Sequence, residues 1–402
     1  MLNRCRFPIV LAFSALFASF ACKKSNPAPD APRTPPARDG VGAPPARPVA
    51  GGDIVIGEFG SMTGATATFG EMTHRGIELA IEEVNAAGGV LGRKVRVLLE
   101  DDQSETPQAV SAVKKLIHQD KVVAVLGEVA SKRSIAAAPI AQRAKVPMVS
   151  PSSTNPELTE KGDYIFRVCF IDPFQGTVMA KFARNTLKFD KIAVLRDVKN
   201  DYSVGLANFF TEQFKALGGT VTLDKSYSEG DKDFNAQLTA IKATAPQGIF
   251  VPGYYTDVAI VAQQAKKLGL SVPLLGGDGW DSEKLWEIGG ESLEGSYFSN
   301  HYSKDDQSPR VQKFVTAFKT KYQKPPDGLA AMGYDAAKVL VDAMTRAGAT
   351  DGKKVRDALA KTTKYAGVTG DITINEKRDA VKPAVVLKVT KGQFQYVETI
   401  QP

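Results

Sequence analysis

Cysteine is scarce in this sequence, and its three thiols, Cys5, Cys22 and Cys169, are too few and too far apart for a disulfide framework or a four-cysteine metal site. Histidine is as rare. His74, His118 and His301 never fall into H-E-x-x-H or other metal-ligand spacing, so surface or capping roles are expected of them and no metal. Neither a G-x-S-x-G nucleophile elbow nor a G-x-x-x-x-G-K-[ST] phosphate loop occurs, and Gly57, Gly60 and Gly64 do not fit G-x-G-x-x-G. Catalysis on those chemistries and nucleotide cofactors are therefore not expected. Asp231-Lys-Asp-Phe-Asn235 starts like a calcium loop, but Ala236 stands where the turn needs glycine and Lys242 where the last carboxylate belongs. It reads as a polar turn before a helix.

Long apolar runs are also missing. Ile9–Phe20 follows Arg4 and Arg6, is too short for a membrane span, and ends in Ser19-Phe20-Ala21-Cys22. Residues 1–21 are thus expected to be a secretory signal peptide. The small residue followed by Cys22 resembles the lipobox of bacterial lipoproteins, although Ser19 occupies a position where that motif usually has leucine; the resemblance implies lipidation of Cys22. Residues 22–52 are Pro, Ala, Gly and Arg with almost no large apolar side chain, which is a tether rather than a fold. At about 3.1 Å per residue an extended Pro-rich chain of this length reaches on the order of 90 Å. Residues 1–52 also carry seven Lys/Arg against two Asp/Glu, so +5 of the total +7 belongs to the tail and only +2 to the remainder. A basic tail of this kind is not a nucleic-acid footprint. With Cys5 removed and Cys22 lipidated, Cys169 has no disulfide partner, so an exported chain must rest on its apolar core.

From Asp53 onward, apolar strands alternate with amphipathic helices. Strands at 53–59, 94–100, 122–126 and 146–149 are separated by helices around Ile77–Val84, 107–118 and 131–143, the last of which Ser131 is placed to cap. After a bridge at 164–172 the scheme restarts, with strands at 191–196, 220–227, 248–251 and 272–275. A second bridge at 294–300 leads to helices at 309–322, 329–347 and 353–361. Two antiparallel strands, 370–375 and 383–389, and a ribbon at 394–398 close the chain. This is an α/β protein of two doubly wound, Rossmann-like lobes joined by three hinge crossings. The expected lobes are 53–170 with 300–365, and 171–299 with 366–402.

Six stretches in this order resemble the periplasmic Leu/Ile/Val-binding family of ABC importers. They are Asn85-Ala-Ala-Gly-Gly-Val-Leu-Gly92, Glu100-Asp-Asp102, Ser150-Pro-Ser-Ser-Thr-Asn-Pro156, Gly276-Gly-Asp-Gly279, Tyr334-Asp-Ala-Ala337 and Gly367-Val-Thr-Gly370. The resemblance covers roughly Asp53 to Glu398. It implies the type I periplasmic binding protein fold, a lipoprotein held in the periplasm, and a monomer. It also implies an amino-acid ligand, branched-chain foremost, captured by hinge closure and handed to an ABC permease. A ligand-sensing module of the same fold, coupled to a signalling partner, is the alternative.

The site implied by the resemblance lies just beyond the carboxyl ends of strands, where open α/β sheets bind ligands. In the first lobe it comprises Phe69, Val129, Ala130, Ser131, Ser152, Ser153 and Thr154; in the second, Tyr202, Tyr254 and Asp278. Ser131 and Thr154 hydroxyls with nearby backbone N–H groups suit a carboxylate, Asp278 suits an ammonium group, and the aromatic rings suit a side chain. Trp280 is expected at the rim. Ala130-Ser131-Lys132 and Glu128 stand where members of the family often have small hydroxyl or glycine residues and a proline, with Lys132 expected in solvent.

Overall fold

The computed structural model describes residues 51–402. The expected signal peptide, Cys22 and nearly all of the tether lie outside the described residues.

The first sheet is built from β1 (Ile54–Gly60), α1 (Ala67–Ala86), β2 (Val95–Asp101), α2 (Thr106–His118), β3 (Val125–Leu126), α3 (Ser131–Ala144), β4 (Met148–Ser150), the short α4 (Glu157–Glu160) and β5 (Ile165–Arg167). Its strands are all parallel, in the order β2-β1-β3-β4-β5. Ile77, Ala80, Ile81 and Val84 form the buried stripe of α1, and Gly88 and Gly89 end it at positive φ. Ser131 does not cap α3: it is the first helical residue, and its hydroxyl accepts from Asn155 N at 3.2 Å.

The second lobe holds α5 (Asp172–Lys181), β6 (Lys191–Asp197), α6 (Asp201–Ala216), β7 (Thr220–Tyr227), α7 (Asn235–Ala243), β8 (Gly248–Phe250), α8 (Tyr255–Lys267), β9 (Leu274–Gly276), α9 (Glu283–Gly289) and β10 (Tyr297–Asn300). The chain then returns to the first lobe through α10 (Pro309–Tyr322), α11 (Gly328–Ala347) and α12 (Gly352–Leu359). α11 lies close against α1 because both helices present glycine there. A β-carbon at Gly76 would meet Ala330 O at 1.9 Å, and one at Gly333 would meet Thr73 O at 2.3 Å.

The closing strands are β11 (Tyr365–Gly367), β12 (Gly370–Ile374), β13 (Ala380–Val381), β14 (Ala384–Thr390) and β15 (Gln393–Ile400). Sequence periodicity pairs 370–375 with 383–389, but β12 bonds to β11 and β13, whereas β14 bonds to β10 and β15. The second sheet therefore runs β15-β14-β10-β9-β8-β6-β7. Ile372, Ile374 and Ala380 pack with Ile54, Phe166 and Met332 in the first lobe's core. The boundary expected at 365/366 thus falls later, at 382–383. Alternation alone could not show this, because a short strand carries the same pattern whichever lobe buries it.

Several family-like motifs act as internal brackets. The Asn85 side chain clips the start of β2 with two 2.8 Å bonds to Val95. Asp335 accepts from Val368 N at 2.8 Å and from Thr369 N at 2.9 Å, joining the Tyr334-Asp and Gly367-Val-Thr-Gly stretches.

Candidate functional site

Chain passages between the sheets at 168–171, 301–308 and 382–383 set the two lobes face to face, with the carboxyl ends of their parallel strands bordering a common cleft. Phe69 enters from the first turn of α1 and Ser131 from the first turn of α3. Ser152 comes from the loop after β4, Tyr202 from the start of α6, Tyr254 from the residue before α8, and Asp278 from a short turn after β9. These six, with Val129, Gly279 and Leu329, line a partly open pocket with a cavity volume of about 10 Å³. That is room for about one water molecule, so the lobes are drawn together here and a larger guest enters only as they part.

Three other expected residues stand behind this surface. Ala130 donates its N–H to the buried Glu128 carboxylate. Ser153 turns its hydroxyl into the first lobe, toward Glu128 O and Val129 O at 2.9 Å each and Ser134 Oγ at 2.7 Å. Thr154 is buried and does not line the pocket. Its hydroxyl faces the buried Asp172 carboxyl, which burial raises well above its ordinary range and the Thr154 hydrogen bond draws down. Leu329 and Gly279 were not expected, because one lies on a helix distant in sequence and the other contributes backbone rather than side chain.

The carboxylate-suited end is framed by a charge-balanced network. Glu128 approaches Arg133 Nε at 3.2 Å, and Ser61 Oγ lies within hydrogen-bond distance of both Asp102, at 2.8 Å, and Glu128, at 3.0 Å. Burial, reinforced by the Glu128 charge, pushes the Asp102 carboxyl up to about 7. The Arg133 charge is thus spent on Glu128 and Asp102, and its guanidinium also binds Thr66 Oγ1 at 2.8 Å. Hydroxyls and helix amides remain for an anion in the pocket. Lys132 stays half-exposed and reaches Glu229 of the other lobe at 3.8 Å.

Asp278 dominates the opposite end. Its Oδ1 accepts from Gln175 Nε2 at 2.8 Å, and its Oδ2 lies 3.1 Å from His301 Nε2 and 3.3 Å from Ser152 Oγ of the first lobe. Gly277 makes room for this grouping, since a β-carbon there would meet Tyr202 Oη at 2.4 Å. His301 is therefore not the surface or capping residue its isolation suggested: it is 3 % exposed. Burial holds its imidazole low, at about 4, against the opposing pull of Asp278. Trp280 is a correction too, being fully buried with Nε1 donating to Val251 O at 3.0 Å, so it packs the core and is not at the rim.

Aromatic rings close the cleft. Phe69 meets Tyr254 edge-on at 5.4 Å and Tyr255 at 5.1 Å, and Tyr202 stacks on Tyr254 at 5.5 Å. Burial, followed by the Asp278 charge, raises the Tyr202 hydroxyl well above its usual range, so it stays protonated. Polar contacts also span the lobes: Asn155 Nδ2 donates to Asp201 O at 2.9 Å, and Thr68 Oγ1 lies 2.9 Å from Ser282 Oγ. A larger hollow of about 230 Å³, bordered by Glu71, Asp281, Tyr302 and Lys324 among others, contains none of the expected site residues.

Among the described residues, no group of three or more His, Cys, Asp or Glu side chains is placed to share a metal ion, and no helix is long and apolar enough to cross a membrane. Cys169 is buried, and burial pushes its thiol up to about 12.

Residues 53–393 match the family model described as periplasmic binding protein. The leucine-, isoleucine-, valine-, threonine- and alanine-binding protein of Pseudomonas aeruginosa is 33% identical over 332 residues, which is 82% of this chain and 88% of that protein. Among solved structures, a leucine-binding protein, LivK, of Thermotoga maritima is 44% identical with a TM-score of 0.84, covering 87% of this chain and 99% of its own. The branched-chain amino acid transporter substrate-binding protein LivJ of Streptococcus pneumoniae, solved in complex with isoleucine, is 34% identical with a TM-score of 0.83, covering 87% and 100%. The strand orders of the two sheets, the three crossings and these similarities lead to one conclusion: the chain belongs to the Leu/Ile/Val-binding family of periplasmic binding proteins and has their type I fold.

Proposed function

We propose that this chain is the substrate-binding protein of an ABC importer, capturing a small α-amino acid, branched-chain foremost, between its lobes and delivering it to a membrane permease. The observation that carries the reading is the meeting of Asp278 from the second lobe with Ser152 from the first, across 3.3 Å, inside a wall of aromatic rings. A zwitterion placed there offers its ammonium group to Asp278 and its carboxylate to the Ser131 and Thr154 hydroxyls and the amides at the start of α3. Phe69, Tyr202, Tyr254 and Leu329 surround an apolar side chain.

A guest touching both lobes favours the closed arrangement over the open one, and a difference of a few kcal/mol is enough to make closure a switch. In this reading Cys22 carries the lipid, residues 23–52 tether a monomeric domain in the periplasm, and the permease recognises the closed form. No cofactor takes part. The test is a thermal-shift and calorimetric screen of L-leucine, L-isoleucine, L-valine, other amino acids, amides and benzoate against protein beginning at Asp53. A ligand present at about 100 times its Kd adds about 2.7 kcal/mol of stability. If only benzoate or an amide without an α-ammonium group raised the melting temperature, the amino-acid reading would fail.

A further inference from the structure

His301 begins the second crossing, and its ring stacks on Phe170 of the first crossing, with centroids 3.7 Å apart and planes inclined by 31°. Its Nε2 lies 3.1 Å from Asp278 Oδ2. With Nε2 donating to that carboxyl oxygen, Nδ1 is left an acceptor, and Nδ1 is buried without a partner. Packing against Phe170 does not call for such a nitrogen, since phenylalanine or leucine would fill the same space without stranding a polar atom. The imidazole is explained by the N–H it directs at Asp278. Gln175, just past the first crossing, binds the other carboxylate oxygen at 2.8 Å. Asp278 is thus held by one side chain from each of two hinge strands or their immediate continuation, and it touches the first lobe through Ser152.

We propose that His301 is a positioning residue that couples the amine-binding acid to the hinge, so that engagement of a ligand's α-amino group at Asp278 is transmitted to the first and second crossings. This rests on the reading of Asp278 as the ammonium partner. Rotation of the lobes shifts the Phe170–His301 stack, and the same shift moves the donor that aims Asp278. Ligands bearing an α-amino group therefore draw on His301, whereas des-amino analogues do not.

The experiment is calorimetric titration of wild type, His301→Phe and His301→Gln with L-leucine and with 4-methylpentanoate, its des-amino analogue. His301→Phe keeps the stack and removes the donor; His301→Gln keeps a donor. Expected are an at least tenfold loss of leucine affinity in His301→Phe, a change within twofold for 4-methylpentanoate, and substantial recovery in His301→Gln. Equal losses for both ligands, or no loss for leucine, overturn the proposal. Asp278→Asn separates the two levels: if it leaves leucine affinity intact, the ammonium reading itself falls, whereas a large loss there with His301→Phe unaffected removes only the role of His301. Amide hydrogen exchange of the unliganded protein decides the point independently of ligand identity and of how the His301 variants fold. Asp278→Ala should accelerate exchange at 168–171 and 300–303 at least threefold, and unchanged exchange in both segments overturns the coupling.

Discussion

Replacing Phe69 by alanine tests whether the cleft acts by closure. Phe69 is 1 % exposed, yet the rings it meets edge-on, Tyr254 and Tyr255, belong to the other lobe. Those contacts exist only while the lobes are together, so their loss falls on the closed state and not on the folding of either lobe. An aromatic pair is worth about 0.5–1.5 kcal/mol beyond area burial, so two such pairs amount to about 1–3 kcal/mol. The closed-to-open ratio should fall roughly 5- to 150-fold, and apparent ligand affinity should fall with it, since binding draws on the competent fraction. Isothermal titration gives the affinity, and small-angle scattering of apo and ligand-saturated protein gives the lobe separation. The unliganded melting temperature should change little compared with the ligand-saturated one. A drop in apo stability of the full 3–5 kcal/mol typical of a Phe-to-Ala core cavity, with ligand affinity preserved, would refute closure and make Phe69 an ordinary core residue.

Four further outcomes are expected. Asp278→Asn should weaken amino-acid binding by about 2–5 kcal/mol, roughly 30-fold or more, as measured by calorimetry at constant ionic strength; a change under threefold would remove Asp278 from the site. His301 gives a pH signature: its folded value of about 4 lies below the unfolded 6.5, so the unfolded chain takes up the proton first as pH falls. The contribution is therefore fully present above pH 6.5 and is lost between 6.5 and 4, about 3 kcal/mol in all at 1.36 kcal/mol per unit. The buried groups acting on it are Asp278 and Lys382, and urea denaturation of His301→Gln should show a correspondingly flatter profile than wild type over that window. Arg167 is fully buried, 2.7 Å from Asp379, with Nη1 on Ser153 O, so it braces the Ser-Pro loop from behind. Arg167→Met should cost about 3–5 kcal/mol by stranding Asp379, and adding Asp379→Asn should recover much of it in urea melts; additive losses would contradict the pairing. The Lys132–Glu229 contact is partly exposed, so Lys132→Ala should weaken binding at most about fivefold, and only at low salt.

Much of the proposed site rests on residue types at strand ends. A hydroxyl-rich turn after a buried run, a Gly-Gly-Asp-Gly turn after another, and aromatic residues opening helices stand at the edge where open sheets bind ligands. The structure brings Ser131, Ser152, Tyr202, Tyr254 and Asp278 to one pocket, and these five were expected on that logic together with the family likeness. His301 was not, since an isolated histidine after a polar strand looks the same whether it faces solvent or a buried carboxylate. Ser153 shows the converse. It has the right chemistry beside two site residues, but the chain direction at that point turns its hydroxyl toward Glu128 O and Val129 O.

Alternation of apolar runs with amphipathic helices determined the α/β class, the two lobes and most elements, because burial periodicity is a local property written into each segment. The ligand edge followed from the same pattern. Only the tertiary structure decided what depends on distance between remote segments: the docking of β12 in the first lobe, the burial of Trp280, the pairing of Arg167 with Asp379, and the contact of His301 with Asp278. Each is fixed by which surfaces meet once the crossings bring them together, and that information is not contained in the periodicity of any one stretch.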